Sequence, residues 1–347
     1  MKINMKKYGL NDRFTTLAAM YSDFIVGRIL SQEKGYYRIV CEFGEKLAEI
    51  SGKFRYEVDS ISDFPAVGDF VMIDWNGSGG NAIIHHLLQR KSCFTRKAAG
   101  ERQEQVVASN IDTLFLCMSL NHDFNLRRLE RYLTIAWDSG AVPVILLTKS
   151  DLCDDLTDKL IEVESVALGV DILITSSFEQ EGIRDVLQYI SHGKTVAFIG
   201  SSGVGKSTVI NRLLGEARME TQGIRNDDKG RHATTHRELI ILPEGGMVID
   251  TPGMRELRMW DNESGMEHTF ADIEELAASC RFSDCSHTSE PGCAILQALN
   301  DGTLDPGRWN SYKKLKIELE YAADSESYLE QKEKKFKEIS KQLKHRK

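Results

Sequence analysis

Gly200-Ser-Ser-Gly-Val-Gly-Lys206-Ser207 has the residue types and spacing that bind phosphate. Every fixed position of G-x-x-x-x-G-K-[ST] is filled. The glycines let backbone N–H groups wrap an anion. Lys206 supplies a charge facing the β- and γ-phosphates, and the Ser207 hydroxyl is a magnesium ligand. The expected contacts are Gly200, Ser201, Ser202, Gly203, Val204, Gly205, Lys206, Ser207 and Thr208. Such a loop works between a strand and a helix N-terminus, where orphan N–H groups and the helix dipole favour anions. The preceding run, Thr195-Val-Ala-Phe-Ile199, is apolar and strand-forming, and Thr208-Val-Ile-Asn-Arg-Leu-Leu214 reads as a helix.

Three further segments complete a nucleotide site. Gly246-Met-Val-Ile-Asp250-Thr-Pro-Gly253 is an apolar strand ending in Asp and a turn. Asp250 would hold Mg²⁺ through water beside Ser207, and the Gly253 N–H would meet the γ-phosphate. Lys229-Gly-Arg-His232-Ala-Thr234-Thr235-His236 reads as a switch loop. Thr234, with Thr235 as second choice, would close over Mg²⁺ and γ-phosphate in the triphosphate state. Thr148-Lys149-Ser150-Asp151 follows the apolar strand Val142-Pro-Val-Ile-Leu-Leu147. It has the form [NT]-K-x-D that reads guanine. One carboxylate accepts both the N1–H and the 2-amino group, donors that adenine lacks in that arrangement. A buried acceptor left unpaired costs about 1–3 kcal/mol. The Lys149 stem can lie across the purine. Thr148 stands where Asn is commoner, which leaves its tie to the phosphate loop open. Thr175-Ser176-Ser177 is the last base-side loop, with Ser176 and Ser177 as contacts. An ordinary GTPase runs from phosphate loop to switch, D-x-x-G and then base reader. Here the base elements come first, so the order is circularly permuted.

Cys280, Cys285, His287 and Cys293 fall within fourteen residues. Three thiolates and an imidazole make a full tetrahedral set for one Zn²⁺, which is therefore structural. A group of free or disulfide-paired cysteines is the alternative. The remaining cysteines, Cys41, Cys93, Cys117 and Cys153, are scattered singly. With 347 residues and a net charge of −8, the chain predicts two or three globular domains and does not advertise nucleic-acid binding. No apolar run approaches the roughly 20 residues of a membrane span, and the N-terminus lacks a signal core. Residues 332–347 nevertheless carry a local charge of +6, either an RNA-binding tail or a solvated helix. Runs at Phe24–Leu30, Tyr36–Phe43, Lys46–Ile50, Asp69–Trp75 and Ala82–Ile84 predict five short strands separated by turns. They suit a small closed barrel of the oligonucleotide-binding kind. A basic linker with Arg90, Lys91, Arg96, Lys97 and Arg102 follows, a candidate RNA contact.

Taken together, the chain resembles the small-subunit-dependent GTPases of the RsgA (YjeQ) family. The resemblance rests on Pro65-Ala-Val-Gly-Asp69, Arg96-Lys-Ala-Ala-Gly100, the motifs above, Asp250-Thr-Pro-Gly-Met-Arg-Glu-Leu257 and C-x₄-C-x-H-x₅-C, spanning residues 20–325. It implies a multidomain α/β chain. After an N-terminal extension (1–20) come an OB-fold RNA-binding barrel (21–100), a circularly permuted P-loop GTPase domain (101–265) and a helical zinc-binding domain with a basic tail (266–347). It also implies binding to the small ribosomal subunit and its rRNA. The protein would be a cytoplasmic monomer with no membrane partner that acts in late subunit maturation, with GTP hydrolysis to GDP stimulated by the subunit. Ala233 stands where the family usually has Thr. Met254 follows D-x-x-G where Ras-like enzymes place a water-orienting Gln. Another group must order the water: His232 first, then His236 or a ribosomal group. The alternatives are an ATP-using P-loop enzyme, against which Asp151 argues, and an RNA-binding assembly module with vestigial turnover.

Overall fold

The computed structural model describes residues 2–33, 35–75, 79–97, 104–176, 181–215, 237–250 and 264–323. The chain divides into two compact units, Met1–Tyr132 with Ser139–Arg258, and Leu133–Asp138 with Met259–Lys347.

In the first unit a helix, α1 (Asp12–Ala18), precedes strands β1 (Ile25–Glu33), β2 (Tyr36–Cys41) and β3 (Gly44–Ile50). A short helix, α2 (Gly52–Glu57), leads to β4 (Phe70–Asp74) and β5 (Ala82–Leu87). The pairing order β1-β2-β3-β5-β4 closes back on β1, giving a five-stranded barrel. Inward residues such as Ile29, Ile39, Ala48, Val71, Ile73 and Ile84 fill its core. All five expected strands are present within a few residues of their expected limits. The N-terminal residues pack on the barrel as well: Phe14 of α1 is buried on Phe70 with ring centroids 4.2 Å apart.

The stretch read as a basic linker is partly a hairpin, β6 (Cys93–Lys97) with β7 (Glu104–Ser109). Arg90, read there as a candidate RNA contact, is engaged within the protein: its side chain is only 14% exposed and grips the fully buried Asp69 at 2.8 Å. It also donates to the carbonyls of Ser62 and Phe64. Lys91 pairs with Asp112.

The segments that follow build an α/β layer. They are β8 (Thr113–Ser119), α3 (Leu126–Ser139), β9 (Val142–Thr148), α4 (Leu156–Glu164), β10 (Asp171–Ile174), α5 (Glu181–Gln188), β11 (Thr195–Ile199), α6 (Lys206–Leu214), β12 (Glu238–Ile241) and β13 (Met247–Asp250). The strand order is β10-β9-β8-β11-β13-β12. Every pair except β12–β13 is parallel. All seven residues of β8 are buried, as expected of a central parallel strand covered on both faces. Phe198 stacks on Phe115, and Val209, Ile210 and Leu213 of α6 join the same core.

Barrel and sheet are stitched together. Ser31 of β1 pairs with Glu238 of β12, and the Arg38 guanidinium meets the Glu238 carboxylate. Arg28, 1% exposed, donates to the carbonyls of Gly68 (3.1 Å) and Tyr8 (2.6 Å) and to Thr195 Oγ1 (2.9 Å). Burial pushes its guanidinium down to about 10, with Asp112 and Asp69 opposing, so it stays charged at neutral pH. Pro65-Ala-Val-Gly-Asp69 now has a physical role. Asp69 accepts from Ala66 N (2.8 Å), Arg90 and the Ser109 hydroxyl (2.5 Å). Gly68 has φ +93, and a Cβ there would lie 2.3 Å from the Ser109 carbonyl oxygen. Only glycine tolerates both conditions. Asp69→Ala should cost about 3–5 kcal/mol, because it strands the Arg90 charge in the joint. Urea unfolding measures this. A change below about 0.5 kcal/mol would remove the joint from the stability argument.

The second unit includes α7 (Ser264–Thr269), α8 (Ala271–Ala278), α9 (Ala294–Asp301) and α10 (Pro306–Ala323). Arg308 of α10, 5% exposed, holds both oxygens of Asp272 at 2.9 and 2.6 Å and the Thr269 carbonyl at 2.9 Å. Trp309 stacks on Tyr312, and Tyr312 meets Phe270 edge-on. No helix among the described residues is long and apolar enough to cross a membrane.

Candidate nucleotide site and Cys/His cluster

The phosphate loop leaves the buried strand β11 and enters α6 through Gly205 at φ +112. Gly200 has φ +152, and a Cβ there would approach the Cys117 carbonyl oxygen to 2.6 Å. The loop is thus pressed onto β8, the neighbouring strand. Burial pushes the Cys117 thiol beneath it up to about 12, leaving it neutral. Lys206 Nζ donates to the carbonyls of Gly200 (2.7 Å) and Ser201 (2.6 Å), so its ammonium is folded over the mouth of the loop. The Ser201 hydroxyl donates to Asp123, which also takes Arg128 at 2.8 Å. Arg128 and then Ser201 hold the Asp123 carboxyl below its usual range.

At the carboxyl end of β9, Thr148 settles the question its side chain raised. Its hydroxyl donates to the Val204 carbonyl in the phosphate loop at 2.5 Å. A hydroxyl therefore makes the tie from the loop at Thr148 to the phosphate loop. Lys149 sits in the left-handed region at φ 58, unusual for a non-glycine residue. Asp151 accepts from the Ser176 hydroxyl at 3.0 Å. Ser176 follows β10, whose parallel pairing with β9 brings the two loops side by side. A pocket lies between them and α6, lined by Thr148, Lys149, Thr175, Ser176, Ile183, Gly205, Thr208, Val209 and Arg212. Asp250 ends β13 and lies across from Glu238 in register.

The base and phosphate elements thus share the carboxyl ends of one parallel sheet, where open α/β sheets bind ligands. Ser177, Thr234, Thr235, His232, His236, Gly253 and Met254 lie outside the described residues, as do Arg102 and residues 332–347. Sequence reading missed Arg212 and Asp123. Arg212 is visible only as a cation between apolar positions of α6, and Asp123 as one acid in a polar loop.

In the second unit, one ligand atom from each of Cys280, Cys285, His287 and Cys293 lies within 4.8 Å of the others. Cys280 Sγ is 3.9 Å from Cys293 Sγ and 3.5 Å from His287 Nδ1. His287 Nδ1 is 3.4 Å from Cys293 Sγ. Tetrahedral coordination with metal–sulfur bonds near 2.3 Å and a metal–nitrogen bond near 2.0 Å needs edges of about 3.5–3.8 Å. The three edges among Cys280, His287 and Cys293 are close to those values, and the four residues together could hold a metal ion. Two N–H groups, from Ala294 and Leu296, point at the Cys280 and Cys293 sulfurs at 3.4 Å. Glu290 gathers the intervening loop by accepting from the N–H groups of Ser286, Thr288 and Ser289, each at 3.0 Å. The Ser286 hydroxyl, then the Ser289 and Thr288 N–H groups, hold its carboxyl well below the usual range.

The chain is 48% identical over 332 residues to the Small ribosomal subunit biogenesis GTPase RsgA 2 of Lactiplantibacillus plantarum, covering 95% of this chain and 94% of that one. The model of the RsgA GTPase family matches residues 87–260. The chain belongs to the RsgA GTPase family. A second relative, Small ribosomal subunit biogenesis GTPase RsgA 1 of Listeria innocua, is 45% identical over 344 residues, 98% of this chain and 96% of that one. Among solved structures, YjeQ from Thermotoga maritima matches with a TM-score of 0.64 at 27% identity, over 85% of this chain and 98% of that one. YloQ, described as a circularly permuted GTPase, matches at 0.60 and 27%, over 86% and 95%. The permuted motif order and the barrel are therefore those of this family.

Proposed function

We propose that this chain is a GTPase that binds the small ribosomal subunit and its rRNA, acts in late subunit maturation and hydrolyses GTP to GDP and phosphate faster on the subunit. The observation that carries the nucleotide half is the Thr148 tie to Val204, which makes the base reader and the phosphate loop one site. The ribosomal half comes from membership of a family whose relatives bear that name.

Lys206 faces the β- and γ-phosphates, with the N–H groups of residues 200–208 around them. Asp151 accepts from the guanine N1–H and 2-amino group, Lys149 covers the purine, and Ser176 and Ser177 close its other edge. Ser207, Thr234 and Asp250 would hold magnesium, which would supply positive charge against the phosphates. Gly253 donates to the γ-phosphate, and His232 orders the attacking water in place of the Gln replaced by Met254. Cys280, Cys285, His287 and Cys293 hold one structural zinc, with four protein ligands and no open position. The protein works as a cytoplasmic monomer, with the barrel on RNA.

Phosphate release from GTP and from ATP, with and without small subunits at fixed salt, tests the reading. GTP turnover should rise at least about tenfold on subunits, equivalent to about 1.4 kcal/mol of barrier, while ATP stays at background. Equal ATP and GTP turnover would instead mark an ATP-using P-loop enzyme. Subunit binding without turnover would leave an assembly module.

A further inference from the structure

The base-reading loops are fastened to the phosphate half at a second point. Arg212 Nη1 donates to the Ser176 carbonyl at 3.1 Å. Ser176 in turn aims its hydroxyl at Asp151 Oδ1 at 3.0 Å. Arg212 lies six residues into α6 from Lys206, about 9 Å along the axis at 1.5 Å per residue. Its helical neighbours at i−4 and i−3, Thr208 and Val209, line the same pocket, so one face of α6 forms a pocket wall.

We infer that Arg212 is a specificity-determining positioning residue for the guanine nucleotide, a role no motif assigns to it. The inference rests on the reading of Asp151 as the guanine acceptor. The guanidinium fixes the Ser176 backbone, and Ser176 fixes the Asp151 carboxylate. The same helix that meets the phosphates therefore orients the group that meets the base. A planar guanidinium presents its donors in a fixed fork that holds a carbonyl in one geometry, which a single ammonium on a flexible stem does less well.

The test uses the full-length protein and the variants Arg212→Gln, Ser176→Ala and the double change. Release of fluorescent GDP should be about tenfold faster in Arg212→Gln. KM for GTP should rise about fivefold while kcat moves less than twofold, because the residue acts on binding geometry and not on the reacting phosphate. The preference for GDP over ADP in competition should fall by at least fivefold. In the Ser176→Ala background, Arg212→Gln should reduce that preference less than twofold further, because the relay is already cut. Metal content and thermal melting control for folding. Should Arg212→Gln fail to fold, Arg212→Lys takes its place and must release GDP at least threefold faster than the wild type. Wild-type release and preference in the folded variant, or fully additive effects in the double change, would overturn the role of Arg212. A wild-type protein that binds ADP as tightly as GDP would instead overturn the guanine reading itself and this inference with it.

Discussion

Lys206→Ala is expected to lower GTP turnover at least about 100-fold, the loss typical of deleting one group that stabilises transition-state charge. Its ammonium rests 2.7 and 2.6 Å from the carbonyls of Gly200 and Ser201. Those are weak acceptors compared with a triphosphate, so the side chain is positioned to exchange them for β- and γ-oxygens. No other cation lines the loop at that place among the described residues. Arg128 is engaged with Asp123, and Arg212 holds the base loop. The helix N-terminus survives the substitution, because Gly205 and the residues after it are unchanged. Residual nucleotide binding through backbone N–H groups is therefore compatible with lost turnover. Phosphate release under single-turnover conditions measures the effect, with melting and metal content as controls. Turnover at the wild-type rate would remove residues 200–208 from the catalytic account.

How much was legible in advance differed from place to place, for physical reasons. The phosphate loop was readable because its constraints are local: glycines at positive φ, a lysine one residue before the hydroxyl, and an apolar strand in front. The cluster at 280–293 was readable because metal ligands come in few types at few spacings. The five barrel strands were readable as alternating runs between turns. The joint was not. Asp69, Arg90, Ser109 and Arg28 lie far apart in sequence, and each resembles a surface residue until the fold buries it. Arg90 in particular reads as a phosphate contact by composition alone, yet its charge is absorbed by Asp69. Thr148 shows the converse. A residue that departs from the commoner Asn still reaches Val204, because a hydroxyl on a buried strand end suffices for one donated bond. Arg212 was hidden for a third reason: its partner is a backbone carbonyl, which leaves no trace in residue types.

Loss of the metal proposed for the Cys/His cluster should have the other large effect, confined to the second unit. Cys293 is 5% exposed and is at once a candidate ligand and the N-cap of α9, its sulfur accepting from Leu296 N at 3.4 Å. The helices around it are short: α7 has six residues, and α8 and α9 have eight each. Isolated helices of that length are marginal in water. Beyond the cluster they rely on the Arg308–Asp272 grip and the Phe270–Tyr312–Trp309 stack. His287 joins the two, with its ring edge-on to Trp309 at 5.7 Å. A structural zinc bound by four such ligands supplies on the order of 10 kcal/mol at neutral pH, which is folding free energy where the site does not form in the unfolded chain. Cys293→Ser should therefore reduce bound zinc from one per chain to below about a tenth. It should also open residues 264–323 to protease while leaving GDP binding within about threefold, since the nucleotide pocket belongs to a unit with its own core. A strong chelator applied to the wild-type protein should reproduce the same protease pattern, and added zinc should reverse it. Freshly purified, unchelated protein that carries no zinc, or a Cys293→Ser variant with unaltered metal content and protease resistance, would show that packing alone holds this unit together.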